Sequence, residues 1–510
     1  MLQKRRAFLK SLGMTAFGLT LIPGAFAGKL FPSFKKRSLL SVTLTGRVLS
    51  EGKGISGVSV TDGINVSVTD SKGNYRLESN TGAAFVYIST PRGFEITHDN
   101  GIARFYKKIE AKRGAFSADF NLQKLTVDDK KHAFVVWADT QIQNKEDAAL
   151  LKSESAPDTL ELIKSYGKDV PFHGIGCGDL VWDEFELFAD YKQAVHQTGI
   201  PFFQVIGNHD MDLDARTDDK STETFRSHFG PTYYSFNRGE VHYVVLDDVF
   251  FTGTAKKYIG YIPENQFAWL EQDLAQVEPG TTVVVSLHIP VNTGARRRNK
   301  LSEDPIGGVV SNRKELYRIL KPYTTHIMSG HTHFNEKVIE GNCIEHVHGT
   351  VCGAWWTGPI CYDGTPNGYG VYEVNGSEVK WFHKAVGQTK DHQFRIYPVG
   401  AVKEKPEAFS VNVWNWDPLW KVEWLEDDKY AGEMQRETTF DPLSLALHAG
   451  AELPVKRPWV DPVLTDHMFF ATPSASSKKI TIQVTDQFMN VYKKQIDTTE
   501  LRKSFEAFAR

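Results

Sequence analysis

Five apolar runs between residues 132 and 333 each stop abruptly in side chains able to ligate a metal. HAFVVWAD closes towards Asp139 and Gln141, FHGIGCGD on Asp179, and FFQVIGNHD on Asn208, His209 and Asp210. TTVVVSLH ends on His288, and THIMSGHTH on His331 and His333. Apolar runs of this length are strands buried on both faces, and VHYVVLDD is another. Between them lie helical stretches at 145–166, 183–199, 265–277 and 313–320. Strand alternating with helix predicts an α/β domain over residues 125–386, built on a largely parallel sheet covered on both faces. Ligands of such sheets bind beyond the carboxyl ends of the strands, so these five ends should converge. One Asp or Asn there would be ordinary turn chemistry. The same chemistry at five successive strand ends is not.

The chain has 510 residues, too many for a single core, and about two to four domains are expected. Residues 39–124 read as short alternating strands broken by glycine turns, a β-sandwich resembling carboxypeptidase-regulatory-like modules. In it Asp70–Asn74 is expected to form a hairpin turn and Tyr75 to be a core aromatic. Residues 387–510 are β-rich again and include KKITIQVTDQFMNVYKKQI, a strand–turn–strand unit. The cluster of Trp414, Trp416, Trp420 and Trp424 reads as the core of a third domain, with a carbohydrate-stacking surface as the alternative.

Residues 1–27 carry Lys4, Arg5 and Arg6, then an apolar run closing on Ala25-Phe26-Ala27, the pattern of a signal peptide. Arg5-Arg6 before Phe8-Leu9-Lys10 resembles the twin-arginine export motif. A periplasmic or extracellular location is therefore expected, with no membrane span after signal removal. Export permits disulfides, yet only Cys177, Cys343, Cys352 and Cys361 are present. A buried thiol is expected at Cys177, and one bridge among the others is possible. A net charge of −3 gives no reason to expect nucleic-acid binding.

The set D-x-Q, GD, GNHD, H and GHTH resembles the calcineurin-like metallophosphoesterases, binuclear-metal phosphohydrolases, over about residues 130–386. FGPTYYSFNRGEVHYVVLDD (229–248) is similar to an exported bacterial branch whose catalytic domain lies between an N-terminal sandwich and a C-terminal β-domain. The resemblance implies a core of β-sheets sandwiched by helices and two divalent ions. Asp139, Gln141, Asp179 and His333 would hold the first, and Asp179, Asn208, His288 and His331 the second. His209 would protonate the leaving oxygen, with Asp210 orienting its neighbours. Two ions ~3.5–4 Å apart need a shared carboxylate and a bridging hydroxide to hold them, and that hydroxide is the implied nucleophile at phosphorus. Four positive charges less Asp139 and Asp179 leave a surplus of two, or one with the hydroxide, to meet the phosphoryl group. The commonest form of the motif opens Asp-x-His. Gln141 instead makes the first site richer in oxygen, favouring Mn²⁺, Fe²⁺ or Mg²⁺ over Zn²⁺.

Other residues carry weaker signals. Arg296, Arg297 and Arg298 follow the His288 strand and can grip an anion or form a solvated loop. Trp355, Trp356 and Asn367 can line the cleft rim, or the two tryptophans can pack in the core. Asp183 can support His209 or stand at a helix N-terminus. Phosphate monoesters and diesters fit the constellation equally. The competing readings are a glycan-binding or cell-surface protein with a vestigial centre, and a hydrolase of non-phosphate bonds.

Overall fold

A computed structural model describes residues 39–110 and 114–505. The expected signal peptide at 1–27 lies outside them. The catalytic region holds two mixed sheets between helices, as the resemblance implied, where the strand–helix pattern alone pointed to one sheet. The seven-stranded sheet runs Glu378–Ala385, Gly368–Asn375, Lys131–Trp137, Phe172–Cys177, Phe202–Val205, Ile102–Ala103, His98–Asp99. The six-stranded sheet runs Tyr234–Arg238, Val241–Val245, Thr282–Ser286, Thr324–Ser329, Cys343–Val347, Glu336–Glu340. Parallel pairing holds at the heart of each, and antiparallel strands close both edges of the second.

The sheets share one buried layer, in which Phe203 stacks on Phe236 at 3.8 Å and Phe134 meets Tyr243 edge-on at 5.5 Å. Helices cover only the outer faces. Leu151, Phe188 and Tyr191 pack on the first sheet, and Trp269, Leu270 and Leu316 on the second. A strand buried on both faces shows the same apolar run whether its second face meets a helix or another sheet. That is why the pattern pointed to a single covered sheet.

The helices lie near their expected places. Residues 145–165 are helical throughout, with a π-helical turn at Leu151–Ser155 and Asn144 Oδ1 accepting from the amides of Glu146 and Asp147. Helix Phe188–Thr198 stops at Gly199, whose φ of 75° few other residues adopt. Helix Glu264–Leu274 ends earlier than Val277, and Arg313–Leu320 has the expected bounds.

The N-terminal module pairs a five-stranded and a four-stranded sheet, with Tyr75 buried between strands. Asp70 makes the expected turn, its Oδ1 accepting from the amides of Lys72 and Asn74 at 2.8 Å. The turn is not a hairpin, because Val66–Val68 and Asn74–Asn80 belong to different sheets. Ile102 leaves the module to pair with Phe202, adding a strand to the catalytic sheet.

The C-terminal region packs two four-stranded sheets around Trp414, Trp420 and Trp424, all buried. Trp416 is half-buried beneath Arg436, whose guanidinium lies 4.1 Å from the ring centre. These rings form a core rather than a glycan platform. Lys479–Thr485 and Val491–Asp497 form the expected antiparallel unit. All four cysteines are buried and free, so the possible bridge does not form. Among the described residues no helix is long and apolar enough to cross a membrane.

Candidate metal centre

The strand ends do converge. Asp179 Oδ1 lies 3.3 Å from His288 Nε2, which lies 3.1 Å from Asn208 Oδ1. His333 Nε2 lies 3.6 Å from Asp139 Oδ1, and Gln141 Nε2 donates to Asp179 Oδ2 at 3.0 Å. Ligand atoms of Asp179, His288 and His331 all fall within 4.8 Å of one another. All seven predicted ligands therefore meet where the two sheets end.

Backbone strain marks the same residues. Asp139, Gln141, Asp179, His331 and His333 all have φ between 40° and 66°, a left-handed conformation that non-glycine residues seldom adopt. Each such residue costs about 1–3 kcal/mol and persists only where its surroundings enforce it. Here the enforcement is dense. A Cβ on Gly207 would fall 2.0 Å from the Asp179 amide nitrogen, and one on Gly178, itself at φ 80°, 2.3 Å from His288 Nδ1.

The donor set fits a cation. His288 Nδ1 donates to the Cys177 carbonyl at 3.0 Å, which leaves Nε2 as a lone pair facing the Asn208 and Asp179 oxygens. His333 repeats the arrangement, with Nδ1 on the Gly353 carbonyl at 2.9 Å and Nε2 facing Asp139. Acceptors set against acceptors in a buried site require positive charge between them. Gln141 Oε1 is buried with no partner, an oxygen left for a ligand. Without an ion, burial opposes charge on His288, but Asp179 and Asp139 outweigh it and hold its pKa up to about 10. Burial likewise pushes Asp139 up to about 8, against the pull of His288.

His209 lies outside the ligand set. Its Nδ1 bonds Asp183 Oδ1 at 2.8 Å, and its amide donates to Asp179 Oδ1 at 2.8 Å. Burial disfavours its imidazolium, but Asp179 and Asp183 prevail and raise its pKa above the ordinary histidine value. Asp183 is thus the partner of His209, and Lys256 Nζ steadies it at 3.2 Å. Asp210 is fully buried and accepts from the amides of Gly207, Leu180 and Val181, locking the Asp179 and Asn208 loops together.

Two positioning carboxylates carried no sequence assignment. Asp248 accepts from the His288 and Ile289 amides at 3.1 and 3.2 Å, and burial pushes it up to about 7. Its only signal was a second Asp ending VHYVVLDD. Glu345 accepts from the amides of Val291 and Asn292 and from Ser329 Oγ, and burial pushes it up to about 8.

The weaker candidates divide. Trp355 is half-buried and stacks on the His333 ring, centroids 4.1 Å apart. Trp356 is buried, its indole nitrogen donating to the Thr140 carbonyl at 3.0 Å. Asn367 donates to the Gly358 carbonyl at 3.0 Å and braces a loop. Arg297 and Arg298 are engaged by carboxylates. Arg297 pairs with Asp466 of the C-terminal domain at 2.6 Å, and Arg298 with Glu336 and Asp466. Arg296 is exposed at the surface.

Three family models match the chain. Residues 132–335 match "Calcineurin-like phosphoesterase", 42–125 "N terminal of Calcineurin-like phosphoesterase" and 345–492 "C terminal of Calcineurin-like phosphoesterase". Purple acid phosphatase 15 of Arabidopsis thaliana is 28% identical over 170 residues, 31% of this chain and 28% of that protein's length. A purple acid phosphatase from yellow lupin (Lupinus luteus) seeds superposes at TM-score 0.35 with 14% identity, covering 50% of this chain and 51% of its own. A 5′-nucleotidase from Candida albicans gives 0.30 and 13%, with 51% of each chain covered. Structural likeness that distant carries no function.

Proposed function

Because the chain belongs to the calcineurin-like phosphoesterases, we propose that it hydrolyses a phosphate ester with the aid of divalent ions held at the strand ends. The observation that carries this reading is the facing of acceptor against acceptor, His288 on Asn208 and His333 on Asp139. Asp139, Gln141, Asp179 and His333 would hold one ion, and Asp179, Asn208, His288 and His331 the other. Bound there, the ions supply charge opposite a phosphoryl oxygen and acidify water enough to make it a nucleophile at neutral pH.

The chain's own residues manage the leaving group. His209 keeps Nδ1–H on Asp183, so its Nε2 is the nitrogen left for substrate. In the imidazolium form, Nε2–H passes its proton to the departing ester oxygen as the phosphorus–oxygen bond breaks. Asp183 stabilises that charge and fixes the ring. Asp210 and Asp248 keep the ligand loops in register by holding backbone amides.

A chromogenic phosphomonoester and phosphodiester, assayed in parallel with Mn²⁺, Fe²⁺, Zn²⁺ or Mg²⁺, test the reading. Turnover should vanish on chelation and fall about 10²–10⁴-fold in His209→Ala. The preferred ester separates monoesterase from diesterase. Full ion occupancy with no turnover of either compound would refute the proposal. Export is proposed from the N-terminal sequence alone, and N-terminal sequencing of secreted protein should begin at Gly28.

A further inference from the structure

Tryptophans from two domains wall the cleft beside His209. Trp182 sets its ring 5.3 Å from that of His209, and Trp355 stacks on His333. Trp459, from the C-terminal domain, meets both edge-on, 5.8 Å from Trp182 and 4.8 Å from Trp355. An indole fixed edge-on against two others keeps a face for one more ring, and Trp459 is 52% exposed.

Its exposure is not slack. Arg457, two residues before it, is buried at φ 51° and donates to Asp147 Oδ2 at 2.6 Å, to Gln143 Oε1 and to the Trp355 carbonyl. Lys456 pairs with Glu146 at 2.6 Å. A buried ion pair therefore holds an exposed indole in place at the cleft. The cations of this wall are committed as well, Arg457 to Asp147, Lys456 to Glu146 and Lys256 to Asp183. With these three cations paired, the wall offers an aromatic face.

We infer that Trp459 is a specificity-determining residue, whose exposed face stacks a flat, uncharged ring carried by the leaving alcohol. The inference rests on the phosphoesterase reading, since it places the leaving group on the His209 side. An aromatic ring and the apolar face of a sugar both stack on indole, and the choice of esters distinguishes them.

Benzyl phosphate, glucose 6-phosphate and ethyl phosphate are esters of primary alcohols that differ chiefly in the ring. Their kcat/KM is measured in the wild type, Trp459→Ala, Trp459→Phe and Tyr430→Ala, the last an exposed residue on the strand Lys429–Glu433. Binding of 2-phenylethylphosphonate and propylphosphonate is measured by calorimetry in the same proteins. A ring ester should be preferred over ethyl phosphate by about tenfold. That preference should vanish in Trp459→Ala, persist in part in Trp459→Phe and stay intact in Tyr430→Ala. Equal rates on all three esters, or a preference that survives Trp459→Ala, would overturn the inference. Ring-selective binding that needs Trp459, with none of these monoesters and no chromogenic diester turned over, would support the ring site and sink the phosphoesterase reading instead.

Discussion

His209 is oriented before any substrate arrives. Asp183 fixes its tautomer and, with Asp179, raises its pKa. An acid works while protonated, so activity should fall as pH rises through that pKa. In Asp183→Asn the pKa drops, and the alkaline limb of the kcat/KM profile should move to lower pH while ion content stays constant. An unmoved limb would show that Asp183 does not act through His209. At Gln141, the orphaned Oε1 predicts that Gln141→His raises Zn²⁺-supported relative to Mn²⁺-supported activity. Unchanged metal preference would count against a ligand role. These ligands were legible because each residue type stands at the end of its own apolar run. Their left-handed φ values were not, since both sheets together impose them. Asp183 was ambiguous for a related reason: its partner is 26 positions away.

Among the elements, the loops after Cys177 and Val205 approach each other closely. Gly207→Ala would press a methyl onto the Asp179 amide, and about 1–3 kcal/mol of destabilisation is expected. Thermal unfolding should show the loss, with ion content falling as Asp179 is displaced. Unchanged ion content would mean that this loop does not position Asp179 for an ion. The strands and helices were legible from period and length, but their division into two sheets was not. Phe172–Cys177 is buried along its whole length, and nothing in its sequence says that one side faces Phe236. Asp248 and Glu345 escaped notice because the amides they hold become neighbours only once the second sheet forms.

The three parts of the molecule share structure beyond their sequence boundaries. Ile102 supplies a strand to the catalytic sheet from the N-terminal side. The C-terminal family match opens inside the strand Cys343–Val347 and takes in Gly368–Asn375 and Glu378–Ala385, strands of the catalytic sheets. Asp466 ties the last domain to Arg297 and Arg298, a contact spanning 169 positions that no local pattern announces. Burial opposes the Asp466 carboxylate, but Arg297 prevails and lowers its pKa from 3.8 to about 2. The tie is therefore complete above pH 3.8 and is lost as pH falls through about 2. Arg297 is largely exposed, so solvent screens the pair, and Asp466→Asn should flatten acid unfolding modestly in that window. Near-UV circular dichroism during acid titration would show the difference, and identical curves would mean that the pair adds nothing.

If seven strand-end side chains together hold cations, metal content should differ between the wild type and Asp179→Ala. About two divalent ions per wild-type chain are expected, with at least one lost when the Asp179 carboxylate is removed. A wild-type chain that stays metal-free in excess Mn²⁺, Fe²⁺ and Zn²⁺, or an Asp179→Ala variant with full occupancy, would contradict a shared cation site.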